Sequence, residues 1–144
     1  MNRKLILLFS FIFTALAQPI TGEAKNLEFK KDRIIYTGNV KLTRGEAVLR
    51  ADKVTILLDS EGKPFRLVAE GNVIYKEPGR KAVADFAEYD LKRETIVLRG
   101  SAKVEERKNV LEAEEIVYDK KNETLQAKGG EKGVRTIYVE EPER

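Results

Sequence analysis

Four segments in which apolar and polar residues alternate, each containing a glycine, constrain the fold of this chain more than any other feature of its sequence. The glycines are Gly38, Gly71, Gly100 and Gly129, so the segments recur about every 30 residues, and the fourth copy degrades after its glycine. Apolar and polar residues alternate on both sides of the first three glycines, as in residues 34–42. A period of two with one apolar face is typical of a half-buried β-strand. A glycine in mid-strand usually marks a bulge or a sharp bend, so we expect each strand to bend there. The alternative is a plain turn between two shorter strands.

A second pattern, led by alanine, occurs once in each repeat. Alanine and a polar residue are followed by an apolar residue and then a large apolar one, in residues 24–29, 51–56, 84–89 and 113–118. In the later copies the apolar residues change parity across this pattern. A change of parity within two or three residues is what a bulge or a corner produces.

Short turn signals separate the two patterns. Residues 59–64 form a polar loop, and residues 77–79, 92–94 and 120–122 favour tighter turns. No segment after the N-terminal 17 residues has a sustained helical period, so the prediction is an all-β antiparallel fold built from units of about 30 residues. One unit cannot bury its apolar face alone. The pattern by itself leaves open a sandwich or jelly roll and a stack of β-layers.

The N-terminal segment has the three parts of a secretory signal peptide. Arg3 and Lys4 precede thirteen uncharged residues that end in Ala15-Leu16-Ala17. The apolar run is shorter than the roughly 20 residues that a membrane-spanning helix needs. We therefore predict a cleaved signal peptide over residues 1–17 and one mature domain over residues 18–144. An uncleaved N-terminal anchor is the alternative.

Composition excludes most catalytic chemistry. The chain has no Cys and no His, which excludes a disulfide framework, a thiol nucleophile, a Cys/His zinc site and a Ser-His-Asp triad. Adjacent carboxylates such as Glu105 and Glu106 point to opposite faces of a strand and cannot act as an acid/base pair. We expect no enzyme, no cofactor and no metal site. Removal of residues 1–17 leaves 25 basic and 24 acidic residues, interleaved along the chain, so no nucleic-acid partner is expected.

The apolar faces of the two patterns define an interior with two possible uses. One interpretation is an ordinary core, which is what most apolar faces form. The other is a slot for acyl chains, left open because two sheets do not close fully. The pattern does not decide between them.

Two parts of the sequence resemble the OstA-like family. They are residues 36–42 with residues 51–54, and residues 98–100 after residues 84–89. The resemblance extends over about residues 19 to 140. It implies an open antiparallel β-jelly roll of two facing sheets, located in the periplasm. It also implies that lipopolysaccharide is carried with the acyl chains of lipid A in an apolar slot.

The slot that the resemblance implies coincides with the apolar positions of the two patterns. The predicted lipid-binding residues are Tyr36, Val40, Leu42, Leu67, Val73, Tyr75, Phe86, Ile96, Leu98, Val104, Ile116 and Tyr118.

The resemblance further implies head-to-tail assembly through terminal strands. Residues 20–29 would contact an LptC-like inner-membrane protein, and residues 134–139 would contact another copy of the chain or an LptD-like outer-membrane translocon. The apolar members of these two edges are Ile20, Leu27, Phe29, Val134, Ile137 and Val139. An unprotected strand edge suits such strand addition.

The predicted function is therefore a lipopolysaccharide-binding transport protein that bridges the inner and outer membranes. Two alternatives remain at this point. One is a relative similar to LptC that keeps residues 1–17 as a membrane anchor. The other is a structural β-module that assembles by strand addition and binds no lipid.

Overall fold

A computed structural model describes residues 19–139 as a single antiparallel sheet. The predicted signal peptide of residues 1–17 lies outside the described residues. No helix within residues 19–139 is long and apolar enough to cross a membrane. The strands are β1 (Thr21–Glu23), β2 (Asn26–Lys30), β3 (Arg33–Arg44), β4 (Ala47–Leu58), β5 (Pro64–Glu77), β6 (Arg80–Asp90), β7 (Thr95–Glu106), β8 (Asn109–Asp119), β9 (Thr124–Lys128) and β10 (Arg135–Ile137).

The six long strands, β3 to β8, pair in sequence order and share one line of bends. The register between β3 and β4 shifts from Thr37 to Val40, and similar shifts occur in the four following strand pairs. The first three glycines of the repeat lie at these shifts with positive φ angles. Strands β3, β5 and β7 run through their glycines without interruption. The expected bend is confirmed, and the alternative of a plain turn is wrong.

At each of the three repeat glycines with positive φ, the polar residue of an alanine-led pattern packs against the glycine, and at Gly38 this residue is Lys25, whose Cβ would lie 2.9 Å from an added Cβ. Gly71 has φ +81°, and a Cβ added there would lie 2.4 Å from the Asp52 Oδ2 atom. Gly100 has φ +85°, and its Cβ would lie 2.5 Å from Asp85 Oδ2. Both aspartates are the polar residues of the alanine-led pattern. The glycine of one sequence pattern therefore packs against the polar residue of the other, and this contact recurs along the sheet.

The line of bends divides the sheet into two layers. Layer A contains β2, β9 and residues 33–37, 53–58, 64–70, 86–90, 95–99 and 115–119. Layer B contains β1, β10 and residues 40–44, 47–51, 73–77, 80–84, 102–106 and 109–113.

The terminal strands follow the same bent path but are broken at the bend. Strands β1 and β2 both pair with β3, and between them the Lys25 N–H donates to the Gly38 carbonyl at 2.9 Å. Strands β9 and β10 both pair with β8, separated by residues 129–134, where Gly130 bridges to Gly133. The predicted edge strand over residues 134–139 is thus reduced to β10. Residues 19–139 therefore form eight bent strands side by side, with β1 and β2 counted as one broken strand and β9 and β10 as another.

The buried core lies between the two layers. Its most deeply buried large side chains are Val40 and Tyr75 from layer B and Val54 from layer A. The bends place the two layers face to face within one sheet. The fold is the open antiparallel jelly roll that the sequence analysis expected.

Candidate functional site: the interior between the layers

The inward positions of layer A form two apolar rows that cross every strand from one edge to the other. Directly paired residues of neighbouring strands share a face of the sheet, so the strand registers define each row. The row farther from the bend contains Phe29, Ile34, Ile56, Leu67, Tyr89, Ile96, Tyr118 and Leu125. The row nearer the bend contains Leu27, Tyr36, Val54, Ala69, Ala87, Leu98, Ile116 and Ala127. No polar residue other than tyrosine interrupts either row.

Layer B presents a complementary row to the interior. Its members are Gly22, Leu42, Leu49, Tyr75, Ala82, Val104, Leu111 and Thr136. The six central positions are apolar or aromatic, and only the two positions on the short edge strands are not. The interior is therefore apolar on both sides over the six long strands.

The structure places eleven of the twelve predicted lipid-binding residues in this interior. Ten are buried, and Tyr36 packs partly buried against them. Phe86 is wrongly predicted as an inward residue. The register shifts between Val83 and Phe86, so the inward positions change from Ala84 to Ala87. Phe86 consequently lies on the outer face, where the Arg99 guanidinium carbon stands 5.0 Å from its ring centroid. Whether the eleven inward residues contact lipid stays a prediction.

Two neighbouring cavities remain between the layers. A cavity of about 30 Å³ lies in the middle of the core, and a larger one of about 190 Å³ lies toward the N-terminal edge. Leu49 and Leu67 line both cavities, so the two are adjacent. Ligand pockets usually enclose about 300–1,000 Å³. The interior in this state is mostly filled by its own side chains and could take only part of a lipid.

Ionised side chains form one margin of the interior, next to the hairpin turns of layer B. The Tyr75 hydroxyl donates to the Glu77 carboxylate, and Arg80 Nη1 lies 2.7 Å from the same carboxylate. Arg80 Nε also lies 3.5 Å from Glu106, which is only 3% exposed. Arg44 belongs to this margin as well and is 6% exposed. Sequence reasoning missed this ionic margin, because Glu and Arg are ordinarily surface residues.

The tyrosines of the interior are shielded from water. Burial, followed by the hydrogen bond to Glu77, raises the pKa of Tyr75 well above its ordinary value of 10.0. Burial likewise raises the pKa of Tyr89 and of Tyr118. The Tyr118 hydroxyl is buried and has no hydrogen-bond partner among the described residues. An unsatisfied hydroxyl in an apolar interior is costly, which makes Tyr118 a candidate contact for a ligand.

The six predicted edge residues are all exposed, Phe29 most of all at 70%. They lie on, or within two residues of, the terminal strands β1, β2 and β10, each of which pairs on one side only within residues 19–139. Two further exposed apolar residues, Leu125 and Tyr138, were missed. Leu125 belongs to the degraded fourth copy of the repeat, and its alternation with Ala127 was the signal that could have identified it. That these edges bind partners stays a prediction.

Within residues 19–139 no group of three or more acidic or other metal-ligating side chains is arranged to hold a metal ion.

Comparisons with known proteins converge on one family. The family model described as "LptA/(LptD N-terminal domain) LPS transport protein" matches residues 19–124. The lipopolysaccharide export system protein LptA of Haemophilus influenzae is 29% identical over an alignment of 129 residues, and the match covers 83% of this chain and 75% of that protein. The lipopolysaccharide export system protein LptH of Pseudomonas aeruginosa is 30% identical over an alignment of 119 residues, and the match covers 76% of this chain and 68% of that protein.

A solved structure agrees with the fold. The crystal structure of LptH from Pseudomonas aeruginosa, described as the LptA-homologous periplasmic component of the lipopolysaccharide transport device, superposes with a TM-score of 0.70. The match covers 85% of this chain and 96% of that one, at 24% identity. The bent-strand architecture, the matched family model and the relatives confirm the expected resemblance to the OstA-like family. The chain belongs to the LptA/LptD N-terminal domain family of lipopolysaccharide transport proteins.

Proposed function

We propose that this protein carries lipopolysaccharide through the periplasm, with the acyl chains of lipid A held between layers A and B. The observation that carries the proposal is the pair of apolar rows in layer A. Both rows cross the whole sheet and end at one edge in the exposed residues Leu27 and Phe29. At the other edge the farther row ends in the exposed Leu125 and the nearer row in the partly buried Ala127. An ordinary core would bury the ends of its rows.

Continuous rows suit a mobile cargo. Each acyl methylene removed from water contributes about 0.8 kcal/mol wherever it lies along the row. Because the rows contain aliphatic, alanine and tyrosine side chains throughout, a chain that shifts from one strand to the next exchanges one apolar contact for another. Movement along the sheet then meets no large barrier, and the direction of transport is imposed from outside this chain.

Cargo binding requires the two layers to move apart. The cavity of about 190 Å³ accepts part of one acyl chain, whereas lipid A carries several. The layers are joined through the bends on one side, and their hairpin ends lie on the other. Separation at the hairpin ends widens the interior without breaking the strand pairing within either layer.

The terminal strands propagate the same interior from one molecule to the next. The β9 strand of one copy and the β2 strand of another each offer an unpaired edge with inward apolar residues, Leu125 and Ala127 against Leu27 and Phe29. Contact between unlike edges does not close on itself and therefore extends head to tail. An LptC-like protein at the N-terminal edge and an LptD-like protein at the C-terminal edge would complete a bridge between the membranes.

Lipopolysaccharide capture by the purified protein tests this function, with a variant that fills the cavity. Ile56 lines the larger cavity and is partly buried, so Ile56→Phe occupies the space that an acyl chain needs. Leu57→Phe, on the outer face of the same strand, is the matched control. We expect Ile56→Phe to weaken capture severalfold at an unchanged melting temperature and Leu57→Phe to leave capture as it is. Equal capture by both folded variants would contradict binding between the layers.

Val73→Asp and Leu98→Asp are less suitable variants. Both residues are 3% exposed, and a carboxylate at either position would be buried without a partner. Loss of capture would then report loss of the fold.

Two further measurements address the alternatives. A structural β-module would change oligomer size when residues 134–144 are deleted but would capture no lipopolysaccharide in any form. The mass of the intact protein from cells decides whether residues 1–17 are retained as an anchor.

A further inference from the structure

Tyr118 carries a hydroxyl group that is enclosed in the interior and makes no hydrogen bond. The residue is 4% exposed, and its hydroxyl oxygen has no hydrogen-bond partner among the described residues. Burial raises the pKa of Tyr118, and the charges of Glu123 and Asp119 add to this rise, but neither carboxylate accepts a hydrogen bond from the hydroxyl. A phenol can both donate and accept a hydrogen bond, so both capacities of this group are unused.

Tyr118 differs in this respect from the other polar groups of the interior. The Tyr75 hydroxyl donates to the Glu77 carboxylate. The other buried side-chain atoms without a hydrogen bond within residues 19–139 belong to charged groups that have another interaction, namely Arg44, Arg66 and Glu106. An unpaired buried hydroxyl costs free energy that a phenylalanine of the same shape would avoid. A partner supplied by bound cargo would remove this cost.

Tyr118 lies on the hairpin side of the interior, away from the bends. It precedes the last residue of β8 and belongs to the layer A row farther from the bend, between Ile96 and Leu125. It lines neither of the two cavities, so cargo reaches the hydroxyl only after the layers separate at their hairpin ends. Acyl chains that enter from this side and point toward the bends pass Tyr118 with the carbons nearest their headgroup.

The partner of this hydroxyl must belong to the part of the cargo that enters the interior. Because the Tyr118 hydroxyl is enclosed, phosphate, sugar and ester groups that stay with the headgroup in water lie outside its reach. An apolar chain that bears one hydroxyl close to its headgroup end meets both conditions, since it enters the interior and passes Tyr118 with that hydroxyl.

We infer that Tyr118 hydrogen-bonds to a hydroxyl on an acyl chain of the cargo, within the first few carbons from the headgroup, and thereby selects hydroxylated chains over plain ones. This inference rests on the proposed function and adds to it a residue that determines specificity. A site that hydrogen-bonds a hydroxyl of its ligand disfavours the analogue that lacks it, because the polar group of the site is then left unpaired.

The test compares two probes that differ only in that hydroxyl. They are a diphosphorylated glucosamine disaccharide with four 3-hydroxytetradecanoyl chains and the same disaccharide with four tetradecanoyl chains. We expect the unaltered protein to bind the hydroxylated probe about tenfold more tightly. Tyr118→Phe removes the hydroxyl and keeps the ring. It should bind both probes with the affinity that the unaltered protein has for the plain probe, at a melting temperature that is unchanged or raised. Tyr138→Phe, at a tyrosine that is 65% exposed, is the matched control and should retain the whole preference.

Each outcome either supports or overturns the inference. Equal affinity of the unaltered protein for the two probes overturns it without any variant, so the folding of Tyr118→Phe does not decide the matter. A preference that persists in Tyr118→Phe shows that the hydroxyl is recognised elsewhere and overturns it. Equal weakening of both probes by Tyr118→Phe shows a structural role and overturns it as well. If the unaltered protein captures neither probe, the proposed function itself fails.

Discussion

Substitution of Gly71 by alanine tests the structural basis of the bend. Two costs add at this position. An L-residue held in the left-handed region costs about 1–2 kcal/mol, and the new Cβ would lie 2.4 Å from Asp52 Oδ2. The Asp52 side chain must move, and it then loses the hydrogen bond that it accepts from Asn72 Nδ2 at 3.0 Å, a loss of about 0.5–1.5 kcal/mol. We expect Gly71→Ala to lower the free energy of unfolding by about 2–3 kcal/mol in total.

Gly62 supplies a matched control for this prediction. It has φ +82°, and nothing lies within 4 Å of an added Cβ. Gly62→Ala should therefore lower the free energy of unfolding only by the cost of holding an L-residue in the left-handed region, about 1–2 kcal/mol. Replacing glycine by alanine also lowers the conformational entropy of the unfolded chain, which stabilises both variants by the same amount. This contribution therefore cancels when the two variants are compared.

Urea denaturation followed by circular dichroism measures both variants in one assay. In a background of Asp52→Ala the two closest contacts, at 2.4 and 2.9 Å, are removed and only the Cβ contact at 3.0 Å remains, so the cost of Gly71→Ala should fall toward that of Gly62→Ala. Equal costs for the two glycine substitutions in the original background would refute the argument that the carboxylate imposes glycine at the bend.

Three further predictions concern the interior margin and the edges. The pKa of Tyr75 in the folded protein is raised above 10.0, so the neutral hydroxyl stabilises the fold fully below pH 10. This stabilisation is lost as the pH rises beyond 10. Tyrosinate absorbance should therefore rise together with alkaline unfolding. Glu106→Ala removes the more buried of the two carboxylates beside Arg80, leaves the ion pair with Glu77 at 2.7 Å, and should cost about 1.5–3 kcal/mol. Glu105→Ala, at a more exposed pair, should cost under about 1 kcal/mol. Urea denaturation of the two variants measures the difference, and equal costs would contradict the ionic margin. Phe29→Glu should weaken self-association in analytical ultracentrifugation at an unchanged melting temperature. Asn26→Glu, on the outer face of the same strand, should leave self-association unchanged. If Phe29→Glu does not alter self-association, this edge is excluded from the contact.

The periodic part of the fold could be predicted because each repeat marks the bend with two signals, the glycine and the alanine-led pattern. Alternation predicts the strands, glycine marks the bend, and the alanine-led pattern marks the parity change on the neighbouring strand. Phe86 was misplaced because a bulge shifts parity at a residue that the alternation alone does not identify. The shift falls between Val83 and Phe86, and a large aromatic residue one position beyond it looks like a core residue.

The ionic margin could not be predicted from the sequence. Glu77, Arg80 and Glu106 resemble ordinary surface charges beside turns, and only the pairing of β5, β6 and β7 brings them together inside the layer.

Leu125 was missed for a different reason. Its copy of the repeat was recognised but degrades after Gly129, so its two alternating residues, Leu125 and Ala127, were not assigned to the interior.

Photo-crosslinking of lipopolysaccharide on the two faces of the sheet tests the central claim most directly. A photoreactive phenylalanine replaces Tyr118, whose side chain is buried between the layers, or Phe86, an aromatic residue on the outer face. The two probes have the same chemistry and differ in the face they occupy. The account predicts that lipopolysaccharide crosslinks at position 118 and not at position 86. Crosslinking at position 86 alone, or equally at both positions in folded protein, would contradict transport between the layers.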